Sequence, residues 1–233
     1  GLGDVYKRQV IQSAIPYGRI ISMGGKKLAY SSYRSKGSGK PSETWLVTSE
    51  DDGKSWNKIS KFGSNDSNEA TLCHLSDKRV LAAVRTHMDH HVKLCEFSLK
   101  NKKRWKEKGP LTLPMQHPAD LTQLSDNCLL LTYGIRNRGL MGIGARLSID
   151  GGKTWRPPWV IHQFGNEAKD IGYPSTTAVD KEGTLLTAFY TDYESTLKKK
   201  PNLYRVLSMR WSLKDWLHPT ILGSISDGKQ LKL

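Results

Sequence analysis

From Ile15 onward, short apolar runs alternate with clusters of Gly, Asn, Asp and Ser, and no stretch keeps the apolar period of an amphipathic helix. That pattern predicts an all-β chain. Four segments read as hairpins: YGRIISMGGKKLAYSSY at 17–33, NEATLCHLSDKRVLAAVRT at 68–86, HPADLTQLSDNCLLLTYGIR at 117–136 and GYPSTTAVDKEGTLLTAFYT at 172–191. The last three share one frame, in which an apolar residue, one further residue, Asp and a short polar stretch precede an apolar strand. Two antiparallel strands joined by a tight polar turn satisfy it. Each hairpin is followed by another apolar run: TWLVTS at 44–49, HVKLCEFS at 91–98, MGIGARLS at 141–148 and LYRVLSMRW at 203–211. The polar stretches 35–43 and 191–202 read as loops.

After these later runs comes a repeated turn. SEDDGKSW at 49–56 and SIDGGKTW at 148–155 place Ser, Asp, Gly, a hydroxyl residue and Trp at the same intervals. Asp51 or Asp150 can accept from the turn's own N–H groups, Gly53 or Gly152 can take positive φ, and the Trp anchors the turn. SLKNKKRW at 98–105 keeps only the Ser and Trp, so Trp56, Trp105 and Trp155 lie 49 and 50 residues apart. Hairpin, strand, box turn and last strand make a four-stranded blade, and that period suits a propeller or a solenoid.

The pattern S-x-D-x-G-x-[ST]-W resembles the Asp-box of the sialidase (neuraminidase) superfamily. The resemblance implies a six-bladed β-propeller, with the boxes on outer turns away from the active site, so these residues are architecture. At about 50 residues per blade, 233 residues supply four blades and a remainder. The order of the motifs implies blades three to six. We expect residues 1–14 to be a non-native or incomplete segment, since GLGDVYKRQ lacks an initiator Met and a signal-like apolar run. Blades are expected over 15–217 and a tail over 218–233. An array of four blades would leave edges exposed that the missing blades should cover.

The formal charge of +14 favours anionic partners of any kind. The lysines scatter over turns, no nucleic-acid motif is present, and no apolar run is long enough to span a bilayer. Cys73, Cys95 and Cys128 are odd in number, lack metal-ligand spacing and lie in apolar runs, which predicts buried free thiols.

Three constellations carry chemistry. Glu69 opens a hairpin that Arg85 closes 16 residues later, as in the sialidase segment where Glu precedes a polar turn and Arg ends the next strand. Lys78 stands where that family usually has Gly. The resemblance implies Glu69 as general base and Arg85 as one of three arginines on a substrate carboxylate. Arg136 follows LLLTYGI as Arg85 follows VLAAV, which favours it over Arg138 and Arg146 as the next arginine. His117 and Asp120 open the same blade, where substrate contact and a capped turn are equal readings. Asp170 and Tyr173 open the last hairpin, and GYPS resembles the segment that carries the sialidase nucleophile, implying that role for Tyr173.

Sialic acid bears a carboxylate on its anomeric carbon, so a neutral phenol approaches where a carboxylate nucleophile would be repelled. The phenol needs a base, and arginine forks suit the carboxylate. The family's first arginine and its Asp acid/base are not found; Arg19 lies in GRIISM, which lacks the Pro of the corresponding family motif. The resemblance implies an exo-acting retaining sialidase that removes terminal sialic acids, without metal or organic cofactor. Its partner would be a sialylated or other acidic glycan, and its location extracellular or periplasmic. The fragment alone is expected to be inactive. A propeller glycosidase or lyase for another acidic sugar, and a non-catalytic glycan-binding propeller, remain the alternatives.

Overall fold

The computed structural model describes Ile11 and residues 14–35, 42–100, 104–180, 182–198 and 203–215. Apart from Ile11 and Ala14, the segments expected before Ile15 and after residue 217 lie outside the described residues. Four antiparallel sheets follow one another along the chain. The first holds β1 (Ile15–Gly24), β2 (Lys27–Arg34), β3 (Glu43–Ser49) and β4 (Asn57–Phe62). The second holds β5 (Ser67–His74), β6 (Arg79–Thr86), β7 (Val92–Ser98) and β8 (Lys106–Pro110). In the third are β9 (Gln116–Gln123), β10 (Leu129–Ile135), β11 (Met141–Ser148) and β12 (Trp159–Gly165). The last described sheet has β13 (Ile171–Ala178), β14 (Thr184–Thr191) and β15 (Arg205–Ser212). Within each sheet every strand pairs with the next in sequence, the meander of a propeller blade. The four hairpins anticipated from the sequence are β1–β2, β5–β6, β9–β10 and β13–β14.

One element departs from expectation. Within the polar stretch 191–202, read as a loop, Tyr193–Lys198 forms a short helix, α1. Lys198 bonds Glu194 across one turn at 2.7 Å, and Arg205 lies 3.5 Å from the same carboxylate. Six residues are too few to show an apolar period, so the sequence carried no helical signal.

The blades pack face to face through three apolar clusters. Leu46, Phe62, Leu72, Val80 and Val84 join the first two; Leu81, Leu94, Leu121, Leu131 and Tyr133 join the next pair; Leu130, Ile143, Ile171, Phe189 and Trp211 join the last. The strands β1, β5, β9 and β13 face the middle. Arg19 of β1 donates to Asp120 of β9 at 2.6 Å and to the Thr176 carbonyl of β13 at 3.2 Å, bridging inner strands.

Both boxes make the anticipated turn. Asp150 accepts from the Ser148 hydroxyl, from the Lys153 and Thr154 backbone N–H groups and from the Thr154 hydroxyl, at 2.6–3.1 Å. Asp51 does likewise with Ser49 and Ser55. Gly53 and Gly152 sit at φ 84° and 81°. Trp56 donates to the Gly53 carbonyl at 2.9 Å. Trp105, without box partners, instead stacks on Phe62 and Phe97 and donates to Ser60. The three cysteines are buried and free, and burial pushes each thiol up to about 12.

Since each second strand runs antiparallel to its inner strand, inner-strand starts and second-strand ends share one end of the propeller. The box turns, which follow β3 and β11, fall at the other. Near the first end, every inner strand is out of step with its partner. Three residues of β5, β9 and β13 span what two residues span opposite, and β1 is offset by two. These bulges re-aim the side chains that they carry.

Candidate functional site

Glu69 lies in the bulge of β5 and Tyr173 in that of β13. Tyr173 takes φ 51°, in the left-handed region, a conformation costing about 1–2 kcal/mol outside glycine. Its hydroxyl donates to Glu69 Oε1 across residues separated by 104 positions. Arg85, at the end of β6, donates from Nη1 to Glu69 Oε2 at 2.6 Å. Glu69 is buried at 7% exposure, whereas Tyr173 keeps 40%, so the phenol stands at the surface with the carboxylate beneath it. Burial, then the bond to Glu69 and its charge, push the Tyr173 phenol up to about 12, against the pull of Arg85 and Arg136. Burial opposes the Arg85 charge, but Glu69 and Tyr173 outweigh it and raise the guanidinium's pKa.

Arg136 reaches the same end by another route. Its Nε donates to the Ile171 carbonyl at 2.8 Å and its Nη2 to the Tyr190 hydroxyl at 2.7 Å, with Asp170 Oδ1 3.5 Å away. The Tyr190 hydroxyl in turn donates to Asp170 Oδ2 at 3.0 Å. The guanidinium lies against Gly172, where a Cβ would come within 2.8 Å of Nη2. Asp170 is itself held by its backbone N–H, which donates to Asp192 at 2.8 Å.

His117, in the β9 bulge, is 2% exposed and stacks on His90 with centroids 6.0 Å apart. Neither ring nitrogen has a partner, and Arg85 Nε and Asn68 Oδ1 are also buried without one. Burial, then the charges of Arg85, Arg136, His90 and His87, lower the His117 pKa to about 3, so the imidazole is neutral. Asp120 lies further along β9 and is bound to Arg19, Thr122 and the Thr176 N–H. Burial pushes its carboxyl up, and Arg19 opposes the shift.

The structure thus joins Tyr173, Glu69 and Arg85 directly, joins Arg136 to Asp170 beside them, and places His117 close enough to feel both arginines. It does not bring Asp120 into contact with the phenol–carboxylate pair. Arg146, a rival to Arg136, is taken up by the Leu111, Trp155 and Arg156 carbonyls. Two residues not singled out from the sequence belong here. The Tyr17 ring lies 6.0 Å from Tyr173, and its phenol pKa is raised by burial and then by Glu69. The Tyr190 ring lies 5.7 Å from Tyr173. Both were detectable as positions: Tyr17 opens a hairpin as Glu69 and Tyr173 do, and Tyr190 near the end of β14 matches Arg85 near the end of β6. Among the described residues no cluster of His, Cys, Asp or Glu is arranged to hold a metal ion, and no helix is long and apolar enough to cross a membrane.

Comparison with solved structures finds propellers of similar fold. A protein of unknown function from Dyadobacter fermentans DSM 18053 is 22% identical, with a TM-score of 0.63 over 79% of this chain and 54% of its own. An alpha-L-arabinanase from Penicillium chrysogenum, complexed with arabinobiose, is 16% identical, with a TM-score of 0.63 over 95% of this chain and 69% of its own. A Trypanosoma rangeli sialidase is 14% identical, with a TM-score of 0.63 over 88% of this chain and 33% of its own. The chain therefore spans about half the length of the Dyadobacter protein and a third of the sialidase. A sequence search of curated proteins finds no match. The BNR repeat-like domain model matches residues 14–187, which takes in both boxes and the site from Tyr17 to Tyr173. A match over most of the chain identifies it as a member of the BNR repeat-like domain family, with the fold of a β-propeller.

Proposed function

We propose that this chain carries the nucleophile half of a retaining glycoside hydrolase, with terminal sialic acids as substrate. The observation that carries the proposal is the Tyr173–Glu69–Arg85 relay at one end of the inner strands. A phenol with a raised pKa is a poor nucleophile by itself and needs a base in hydrogen-bond contact. In this reading Tyr173 Oη bonds to the anomeric carbon as the glycosidic C–O bond breaks, and the phenolic proton passes to Glu69. Water then cleaves the tyrosyl intermediate: Glu69 returns its proton to the departing Tyr173 oxygen, the water's proton goes to the conjugate base of the acid that served the first step, and Arg85 keeps the Glu69 carboxylate oriented. No described residue is assigned as the acid that protonates the leaving oxygen. Arg85 and Arg136 would draw an anionic sugar to the phenol, helped by the overall positive charge.

A second reading, a propeller glycosidase for another sugar, is favoured by the state of Arg136. Its Nε and Nη2 are spent on Ile171, Tyr190 and Asp170, which leaves less of it for a substrate carboxylate. An arabinanase is among the proteins of similar fold.

A fluorosialosyl fluoride, which would leave a long-lived tyrosyl adduct, separates the readings when the 233-residue chain is digested and mapped by mass spectrometry. An adduct on Tyr173, absent from Tyr173→Phe, supports the sialidase reading. Labelling of Tyr173 only by the matching fluorinated arabinofuranosyl reagent supports the second. Fluoride leaves without an acid, so the adduct needs only Tyr173 and its base, and labelling of neither would remove the nucleophile role even from a chain that turns over no glycoside.

A further inference from the structure

We infer that Tyr190 is a positioning residue for Tyr173, holding Arg136 across the Gly172 backbone so that the neighbouring phenol stays on Glu69. The inference rests on the reading of Tyr173 as a nucleophile. Its starting point is a correspondence between blades: RVLAAVRT at 79–86 and TLLTAFYT at 184–191 are second strands of equal length, and Arg85 and Tyr190 occupy the same place in them. In its own blade Arg85 reaches the inner-strand acid directly. The last blade has no acid at that place but Gly172 followed by Tyr173, and an arginine comes over from the preceding blade instead.

A long arginine side chain needs several directed contacts to keep one plane. Arg136 has the Ile171 carbonyl on Nε and the Tyr190 hydroxyl on Nη2. The Tyr190 hydroxyl can accept from Arg136 because its own proton goes to Asp170. Asp170 is fixed in turn by its backbone bond to Asp192. The guanidinium so held fills the space that a side chain at position 172 would need. The next residue, Tyr173, has a left-handed backbone that persists only while its surroundings enforce it. The Tyr190 ring packs against that of Tyr173, its plane tilted 32° and its centroid 5.7 Å away.

Tyr190→Phe keeps the ring and removes only the hydroxyl. The readout is the titration of Tyr173 in the 233-residue chain, followed by NMR with tyrosine labelled at the ζ carbon. In the parent chain the midpoint lies well above 10, for the reasons of burial and Glu69 contact given above. In Tyr190→Phe the phenol loosens from Glu69 and the midpoint falls by half a unit or more, whereas Tyr204→Phe leaves it in place, since Tyr204 touches Asp170 and the Tyr190 ring but not Arg136. An unchanged or higher midpoint in a Tyr190→Phe chain with the parent circular dichroism overturns the inference. Should that variant not fold, Asp170→Asn, which weakens the same relay from its far end, must lower the midpoint instead or the inference fails. The adduct experiment on the parent chain reports separately on the nucleophile: a midpoint that falls without any adduct upholds the clamp and removes the catalytic reading.

Discussion

His117 is a buried imidazole that feels two guanidiniums, with no hydrogen-bond partner at either nitrogen. An unfolded chain takes up the His117 proton near 6.5, whereas the folded one refuses it down to about 3. Over that window the unfolded state binds more protons, so stability present above 6.5 is lost as the pH falls. Between pH 6.5 and 5 the loss from this one residue comes to about 2 kcal/mol. Urea unfolding at pH 7 and pH 5 measures it, and His117→Gln should flatten the difference. Arg85, Arg136, His87 and His90 are the charged or titratable groups that set the field there. At this scale the sequence disclosed residues that stand out by type. Glu69, Arg85 and Tyr173 are polar or reactive groups at the ends of apolar strands, and their positions in the hairpin frame led to them. Tyr17 and Tyr190 did not stand out, because an aromatic residue in a strand is ordinarily packing.

The Asp-box was fully legible because its bonds are local: Ser, Asp, Gly and hydroxyl all act within eight residues. Turn glycines, inside the box and outside it, differ in what they forbid. Gly24 has φ 94° with nothing within 4 Å of a built Cβ, while Gly152 has φ 81° and would put that Cβ 2.6 Å from Leu81 Cδ1 in the neighbouring blade. Gly24→Ala should therefore cost about 1–2 kcal/mol, the backbone strain alone. Gly152→Ala should cost about 1–3 kcal/mol more from overpacking, and paired urea midpoints would show the order. Elements whose signals are non-local were harder to see. The box at Trp105 has lost its turn residues but keeps its Trp, since Phe62, Phe97 and Ser60 come from strands far apart in sequence. The strand bulges were invisible for a similar reason: an offset is a relation between two strands, and the pattern of one strand does not contain it.

At the scale of the molecule, the Arg19–Asp120 contact is one of the bonds that span the middle. Asp120 Oδ2 accepts from Arg19 on β1, from Thr122 on its own strand and from the Thr176 N–H on β13. Its carboxylate is nearly inaccessible, although Arg19 remains partly exposed. Asp120→Ala would leave the Thr176 N–H buried without its acceptor, at a cost of about 1–3 kcal/mol. The expected result is faster amide exchange at Thr176 and its neighbours on β13, with β6 and β7 unaffected. Exchange that quickens evenly throughout would show instead that the contact holds no particular pair of strands. The blade order was readable from the box period, but this cross-link was not, because Arg19 and Asp120 lie 101 positions apart.

The bulges of β5, β9 and β13 bear on how such a chain tolerates change. Each holds one residue more than its partner strand accommodates, and Glu69, His117 and Tyr173 are carried there. The chemistry at this end depends on residue count as well as residue type. Losing one residue from β13 beside Tyr173 would bring the strand back into step with β14 and leave the sheet as well paired as before, or better. The phenol would then be turned from Glu69 without any substitution having touched it. Length changes that are silent for folding are therefore the ones to which this end of the propeller is most vulnerable.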